Sequence, residues 1–314
     1  MNLKNLKLKE HSTTIARRIV QISLFIVINY VAIELIFKIN LKSFENLVKI
    51  LPILNSPKNP LSRGAGLMEY IFFYMTEGIF PFFLIAVFIL IILFSNRFCC
   101  GWICPIGVIQ DGLASIPTKN KKKISTRTHE SLLKLKKFIL ILMIIIVIPL
   151  VYTKVSDYTF YSQYKENLGL FGQQTVGYFS LSEYIFVFLP NMIKKIVERA
   201  GLEPLFSDFW TFFMFAFYLA VIIVSIWYPR SYCRYLCPFG AAASYVADYS
   251  FLKMTRSPVR CVGRTECGKC EQICPQQIRI LDEPFEFFTG KGECILCLKC
   301  KESCPYDAID IKFV

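Results

Sequence analysis

Two cysteine runs near the C-terminal end carry the plainest chemical signal. CVGRTECGKCEQICP supplies Cys261, Cys267, Cys270 and Cys274, then Pro275; CILCLKCKESCP supplies Cys294, Cys297, Cys300 and Cys304, then Pro305. The second is the C-x2-C-x2-C-x3-C-P run of bacterial two-cluster ferredoxins. The first is that run with three extra residues between its first two cysteines. Such short spacing wraps backbone around one corner of a cubane, so that three thiolates reach one cluster and the fourth points to its neighbour. The expected sets are therefore Cys261, Cys267, Cys270 and Cys304 on one [4Fe-4S] cluster, and Cys294, Cys297, Cys300 and Cys274 on a second. Zinc also accepts four cysteines, but two C-x3-C-P endings in tandem suit it poorly. Two adjacent cubanes store and conduct single electrons and do no bond chemistry unaided.

Four more cysteines form a second constellation. RFCCGWICPIG places Cys100 and Cys104 after an apolar run, and RSYCRYLCPFG places Cys233 and Cys237 after another. The two stretches align at an offset of 133 residues, Arg97 with Arg230, Cys100 with Cys233, Cys104 with Cys237 and Gly107 with Gly240. Each motif offers two ligands where a cubane needs four, so a shared centre needs both. Three readings stand at this point: a metal centre or cluster shared by Cys100, Cys104, Cys233 and Cys237; a redox-active dithiol or disulfide; and structural cysteines. Arg97 and Arg230 favour thiolates nearby. Cys99 reads as a small packing residue, and Asp111 as a solvated or capping residue.

The elements that must position these groups are membrane helices. The chain has 314 residues, 54% of them hydrophobic, and a formal net charge of +13. Apolar runs over 19–37, 79–95, 138–153 and 209–228 are long enough, or nearly so, to cross a bilayer, which takes about 20 residues. The expected fold is mostly α: a bundle of four transmembrane helices built as two parallel repeats, followed by a small ferredoxin-like α+β segment holding the two clusters. The expected divisions are a cytoplasmic N-terminus over 1–18, membrane repeats over 19–137 and 138–250, and the two-cluster domain over 251–314. The first run lacks a small-x-small cleavage site and reads as a retained helix rather than a signal peptide. Basic residues concentrate before the first run and in the KNKKK loop, which puts both termini and all the cysteine motifs on the cytoplasmic side of the inner membrane. EYIFFYM (69–75) echoes EYIFVFL (183–189), either as amphipathic packing or as helices lining a cavity between the halves. Glu34 in the first run is a carboxylate at membrane depth, where it would take up a quinol proton or reach interface water.

Several classes drop out. His11 and His129 are the only histidines and both lie in polar segments, so intramembrane haem lacks its usual axial ligands. No CxxCH and no GxGxxG occurs, which removes covalent c-type haem and a dinucleotide site of that type. The basic residues flank apolar runs rather than forming a nucleic-acid stripe.

Paired RxxCxxxCP elements beside apolar runs, with a two-cluster ferredoxin segment behind them, resemble the NapH/NosR group of membrane iron–sulfur proteins over essentially the whole chain. The resemblance implies electron transfer between the quinone pool and a partner oxidoreductase, as a quinol dehydrogenase-type subunit, with other subunits of a redox complex as partners. Relatives of the CcoG type share both motif sets, and that resemblance implies copper reduction for oxidase assembly. A redox-sensing membrane regulator is the third class.

Overall fold

The computed structural model describes residues 12–28, 66–116, 123–169, 179–199, 201, 203–206 and 209–314. Glu34, His11 and the part of the first apolar run beyond Ile28 lie outside the described residues.

Three helices carry the apolar runs at full described length: Phe82–Ser95, Thr126–Ser156 and Phe209–Trp227. Helix Thr126–Ser156 is 31 residues long. It starts well before the expected run at 138, because Ser125 caps it by accepting from Thr128 N, and the lysines expected in a loop continue into its first turns. Its buried residues, Lys136, Ile139, Leu140, Met143, Val147 and Leu150, recur at helical spacing on one face. The other face presents Phe138, Ile141, Ile145, Ile148 and Tyr152. A helix of a water-soluble protein would be polar there.

Helix Phe209–Trp227 goes further. Only 11% of its most apolar 18 residues is buried inside the protein, against 28% for Thr126–Ser156. Phe209, Phe213 and Phe217 form an outward ladder of stacked rings. These two are the helices, among the described residues, long and apolar enough to cross a membrane. Their bare apolar faces make the protein membrane-associated. Phe82–Ser95 has only 14 residues, short of the roughly 20 that a full crossing takes. The N-terminal helix, Ser12–Ile28, begins seven residues before the expected run.

After each of two apolar helices the chain makes the same elbow. A short helix, Phe98–Trp102 or Ser231–Tyr235, is followed by Cys104 or Cys237 in an extended conformation and then by helix Pro105–Leu113 or Pro238–Ala247. Proline opens the second helix in both because its missing N–H is not needed there and its φ is already helical. The glycine two residues on leaves little room for a side chain: a Cβ on Gly107 would lie 2.8 Å from Cys100 O, which forces a shift, and one on Gly240 would lie a tight 3.1 Å from Cys233 O.

The C-terminal segment is α+β, as expected. Strand β1 (Leu252–Arg256) pairs antiparallel with β2 (Ile309–Phe313), Leu252 opposite Phe313 and Arg256 opposite Ile309. Met254, Ile278, Ile280, Phe288, Leu296 and Ile309 pack beneath them. Short helices Lys269–Ile273 and Lys299–Glu302 occupy equivalent places, each preceded by a left-handed residue, Gly268 and Leu298. The three extra residues of the first run are absorbed by a helical turn, Gly263–Glu266. The N-terminal helix bolts this segment to the elbows: Thr14 N donates to Glu302 Oε1 at 3.0 Å, and Gln21 Nε2 donates to Gly101 O at 2.9 Å.

Candidate functional site

The cysteines line three cavities. One is walled by Cys261, Cys267, Cys270 and Cys304, with Arg256 and Tyr306. A second is walled by Cys274, Cys294, Cys297 and Cys300, with Phe288 and Leu296. Each therefore takes three cysteines from one run and one from the other. Cys261 reaches the first cavity despite the extra residues before Cys267, which are taken up in the turn Gly263–Glu266; Val262 and Gly263 themselves line the cavity. A third and larger cavity lies where the two elbows meet and brings together Cys100, Cys104, Cys233 and Cys237, with Cys99 also on its wall. Met68 and Glu69 of the first EYIF helix, and Ser180 and Ser182 beside the second, close it on the far side.

The elbows interlock reciprocally. The Arg97 guanidinium lies 3.0 Å from where a Cβ on Gly240 would be, and that of Arg230 lies 3.4 Å from the same point on Gly107. Each arginine thus lies over the glycine of the other motif. Arg230 Nη1 also donates to Cys100 O at 2.9 Å. Both arginines are wholly buried, and each has an acidic partner. Arg97 Nη1 meets Glu293 Oε2 at 2.7 Å, with Lys136 Nζ on the same oxygen at 2.5 Å. Arg230 Nε and Nη2 grip Asp111 at 2.8 and 2.7 Å, with Gln21 Nε2 on Asp111 Oδ2 at 3.1 Å. Asp111 is therefore not the solvated residue expected from sequence: it is 3% exposed and holds a buried arginine. Its place, seven residues past Cys104 on a helix whose outer face was unknown, gave no sign of this. Glu293 sits directly before Cys294, and that adjacency was the available clue.

The first elbow packs directly against the loop that walls the second cavity. Trp102 Nε1 donates to Leu296 O at 2.9 Å, and Phe98 packs against the core of the C-terminal segment. A Cβ on Gly101 would fall 2.2 Å from Ile295 O, in the loop between Cys294 and Cys297. Gly101→Ala should therefore push that loop off the elbow, cost about 1–3 kcal/mol in thermal or denaturant unfolding and alter iron retention. Gly112→Ala, with nothing within 4 Å of its Cβ, should leave both intact or slightly improved.

The residues present fit an anionic occupant. Among the described residues the buried charged side chains are Arg17, Arg97, Lys136, Arg230, Arg234 and Arg256 against Asp111 and Glu293 alone. Uncompensated buried cations are costly, and a cubane held by four thiolates is a net anion rich in sulfur acceptors. The orphaned donors lie beside the cysteines. Arg97 Nε, Arg256 Nε and Gln276 Nε2 are buried without a partner, and each residue lines one of the cavities. Arg234 Nε is orphaned within electrostatic reach of Cys274, and all three guanidinium nitrogens of Arg17 are orphaned within reach of Cys297. Among the described residues no three His, Cys, Asp or Glu side chains converge tightly enough to hold a single metal ion. The cavities would suit a larger body that all four thiolates of a set could hold at once.

Thiol electrostatics argue against a dithiol switch. Burial pushes Cys104 up to about 12 and Cys233 well above its ordinary value, and burial also raises Cys237. A redox-active dithiol needs the reverse shift. Burial likewise pushes Cys294 up to about 12 and Cys270 and Cys274 up to about 11. A bound metal centre inverts this and keeps its thiols deprotonated.

The three cysteine-lined cavities suit iron–sulfur clusters, and the comparisons with known proteins point to the same chemistry. A family described as "4Fe-4S binding domain" matches residues 77–124 and 210–256. The putative electron transport protein YccM of Escherichia coli is 27% identical over 224 residues, 71% of this chain and 52% of YccM. NirI of Paracoccus denitrificans is 24% identical over 64% of this chain and 24% of its own length. The regulatory protein NosR of Pseudomonas aeruginosa is 23% identical over 68% of this chain and 25% of its own. The matched region thus spans about half of YccM and about a quarter of NirI and NosR. No solved structure matches the chain. The chain is similar to members of the NapH/NosR type of membrane iron–sulfur proteins, the elbow regions being what the family model matches.

Proposed function

We propose that the chain is a membrane subunit that passes electrons between the quinone pool and a partner oxidoreductase, holding three iron–sulfur centres in a row. Cys261, Cys267, Cys270 and Cys304 would hold the outermost, and Cys274, Cys294, Cys297 and Cys300 the middle one. Cys100, Cys104, Cys233 and Cys237 would hold the innermost. When bound, these groups supply one-electron storage at fixed positions. The chain supplies their order, the hydrogen bonds around them and the exclusion of water.

The observation that carries the reading is the contact chain itself: cavities that share the two cysteine runs, then an elbow whose Gly101 and Trp102 press on the middle loop. The innermost centre has separate support. The two stretches matched by the 4Fe-4S family contain only the elbow cysteines, and they begin 133 residues apart, the offset of the motifs. Together with the reciprocal arginine–glycine contacts, this supports two parallel repeats about a pseudo-two-fold axis. On this reading Thr126–Ser156 and Phe209–Trp227 cross the inner membrane, the shorter apolar helix Phe82–Ser95 is embedded beside them, and both termini are cytoplasmic.

Mixing the anaerobic protein with a menaquinol analogue, and the pre-reduced protein with the quinone, tests the reading by cluster absorbance and EPR. Exchange in at least one direction is expected, and Cys100→Ser or Cys233→Ser should slow it while dithionite still reduces the remaining clusters. Exchange undiminished in those variants would remove the elbow centre from the path. Reduction of cupric ion in place of any quinone exchange would favour the assembly class.

A further inference from the structure

Arg17 is an anomaly unless something faces it. It lies on the N-terminal helix, is 0% exposed, and none of its three nitrogens has a hydrogen-bond partner. Its nearest acid, Asp111 Oδ2, stands 3.6 Å from Nη2 and is already held by Arg230. A buried guanidinium left this way costs more than an ordinary unsatisfied neutral donor, because charge as well as hydrogen bonding goes uncompensated. The helix does not hold Arg17 there by accident of sequence. Thr14 and Gln21, one turn to either side, lock it to Glu302, Gly101 and Asp111.

Beyond Asp111, the acidic group acting on Arg17 is the thiol of Cys297, in the same C-terminal segment that Thr14 of this helix grips through Glu302. That sulfur is within electrostatic reach of Arg17, Arg230 and the half-buried Lys299, with Asp111 the facing acid and Arg18 alongside. The other corners of the same cavity see Arg97 near Cys294 and Arg234 near Cys274. The outer cavity is differently furnished. Arg256 Nη1 stands 3.9 Å from Cys261 Sγ, and the acid Glu271 acts on Cys270.

We propose that Arg17 donates hydrogen bonds to the cluster held by Cys274, Cys294, Cys297 and Cys300, and that with Arg230 it makes this the more easily reduced of the two C-terminal clusters. Reduction adds one negative charge to a cluster, and cations and N–H donors facing it in a low dielectric stabilise the reduced form. An electron shared between the two clusters then rests on the one against the elbow rather than on the outer one. The inference builds on the proposed cluster assignment.

EPR-monitored redox titration of the full chain in lipid nanodiscs tests it. Cys304→Ser, which lacks an outer-cluster ligand, identifies the middle cluster's signal. The wild type should reduce that cluster at the higher potential. Arg17→Gln should lower its midpoint alone, cutting the reduced-to-oxidised ratio at the wild-type midpoint about tenfold, or about 59 mV for a one-electron couple. Arg17→Lys, which keeps the charge with fewer donors, should move it less in the same direction and covers the case in which the glutamine variant loses the cluster. Equal shifts of both clusters, or no shift in either variant at full iron content, would overturn the inference. A wild-type protein without cluster signals would instead overturn the cluster assignment beneath it.

Discussion

Asp111→Asn should destabilise the protein by about 3–5 kcal/mol, because it removes the carboxylate that, among the described residues, faces two buried guanidinium groups. Arg230 loses two charge-assisted bonds to Asp111, and Arg17 loses the one carboxylate it meets among the described residues. Neither can reach water, so the loss is the full penalty of stranded charge rather than the small net worth of a pair. Glu293→Gln should do the same to Arg97 and Lys136 on the opposite side of the elbows. Chemical unfolding in a fixed detergent measures both, and variants within about 1 kcal/mol of wild type would contradict the buried-network account. Asp307→Asn is the control: its pair with Arg260 is exposed and should be worth about 0–1 kcal/mol. The pH dependence has a defined sign. Burial alone would raise both carboxyls, but Arg230 holds Asp111, and Arg97 with Lys136 hold Glu293, below the ordinary range. Their stabilisation is present above the ordinary carboxylate range, near pH 4, and is lost as the pH falls through their depressed values.

The second large effect follows from the crossing of ligands. Cys274→Ser should abolish the cluster held mainly by the other run, that of Cys294, Cys297 and Cys300. Cys304→Ser should abolish the cluster of Cys261, Cys267 and Cys270. Each variant should lose about four irons per chain and leave the EPR of the opposite cluster intact but without its magnetic neighbour. If Cys274→Ser instead spared the Cys294-run cluster and destroyed the other, ligands would follow sequence rather than space, and the two cavities would have been read wrongly.

How much of this was legible beforehand varied with the range of the interaction. The cysteine sets proposed as ligands come from local spacing, and the structure lines one cavity with each of the two C-terminal foursomes. The repeat of the elbows was readable from Arg97 and Arg230, Gly107 and Gly240, since identical local chemistry recurs at one offset. Which arginine lies over which glycine was not readable, because it depends on how two distant elbows meet. Lys136 is one of several lysines in KLKKF, and only the packing of helix Thr126–Ser156 against the C-terminal segment singles it out. The start of that helix at Thr126 was missed because basic residues read as a loop, while the Ser125 cap and the helix propensity of lysine and leucine carry the helix through them. Arg17 looked like a topology signal beside Arg18. Its burial requires the N-terminal helix to dock against residues about 80 to 290 positions away, and a local pattern cannot encode that.

Iron and acid-labile sulfide per chain, measured on anaerobically purified protein alongside Cys100→Ser and Cys233→Ser, test the central claim most directly. Three centres predict about twelve irons in the wild type, falling to about eight in either elbow variant. About eight irons in all three proteins would contradict it, leaving the C-terminal pair as the protein's only clusters and the elbow cavity without a cluster of its own.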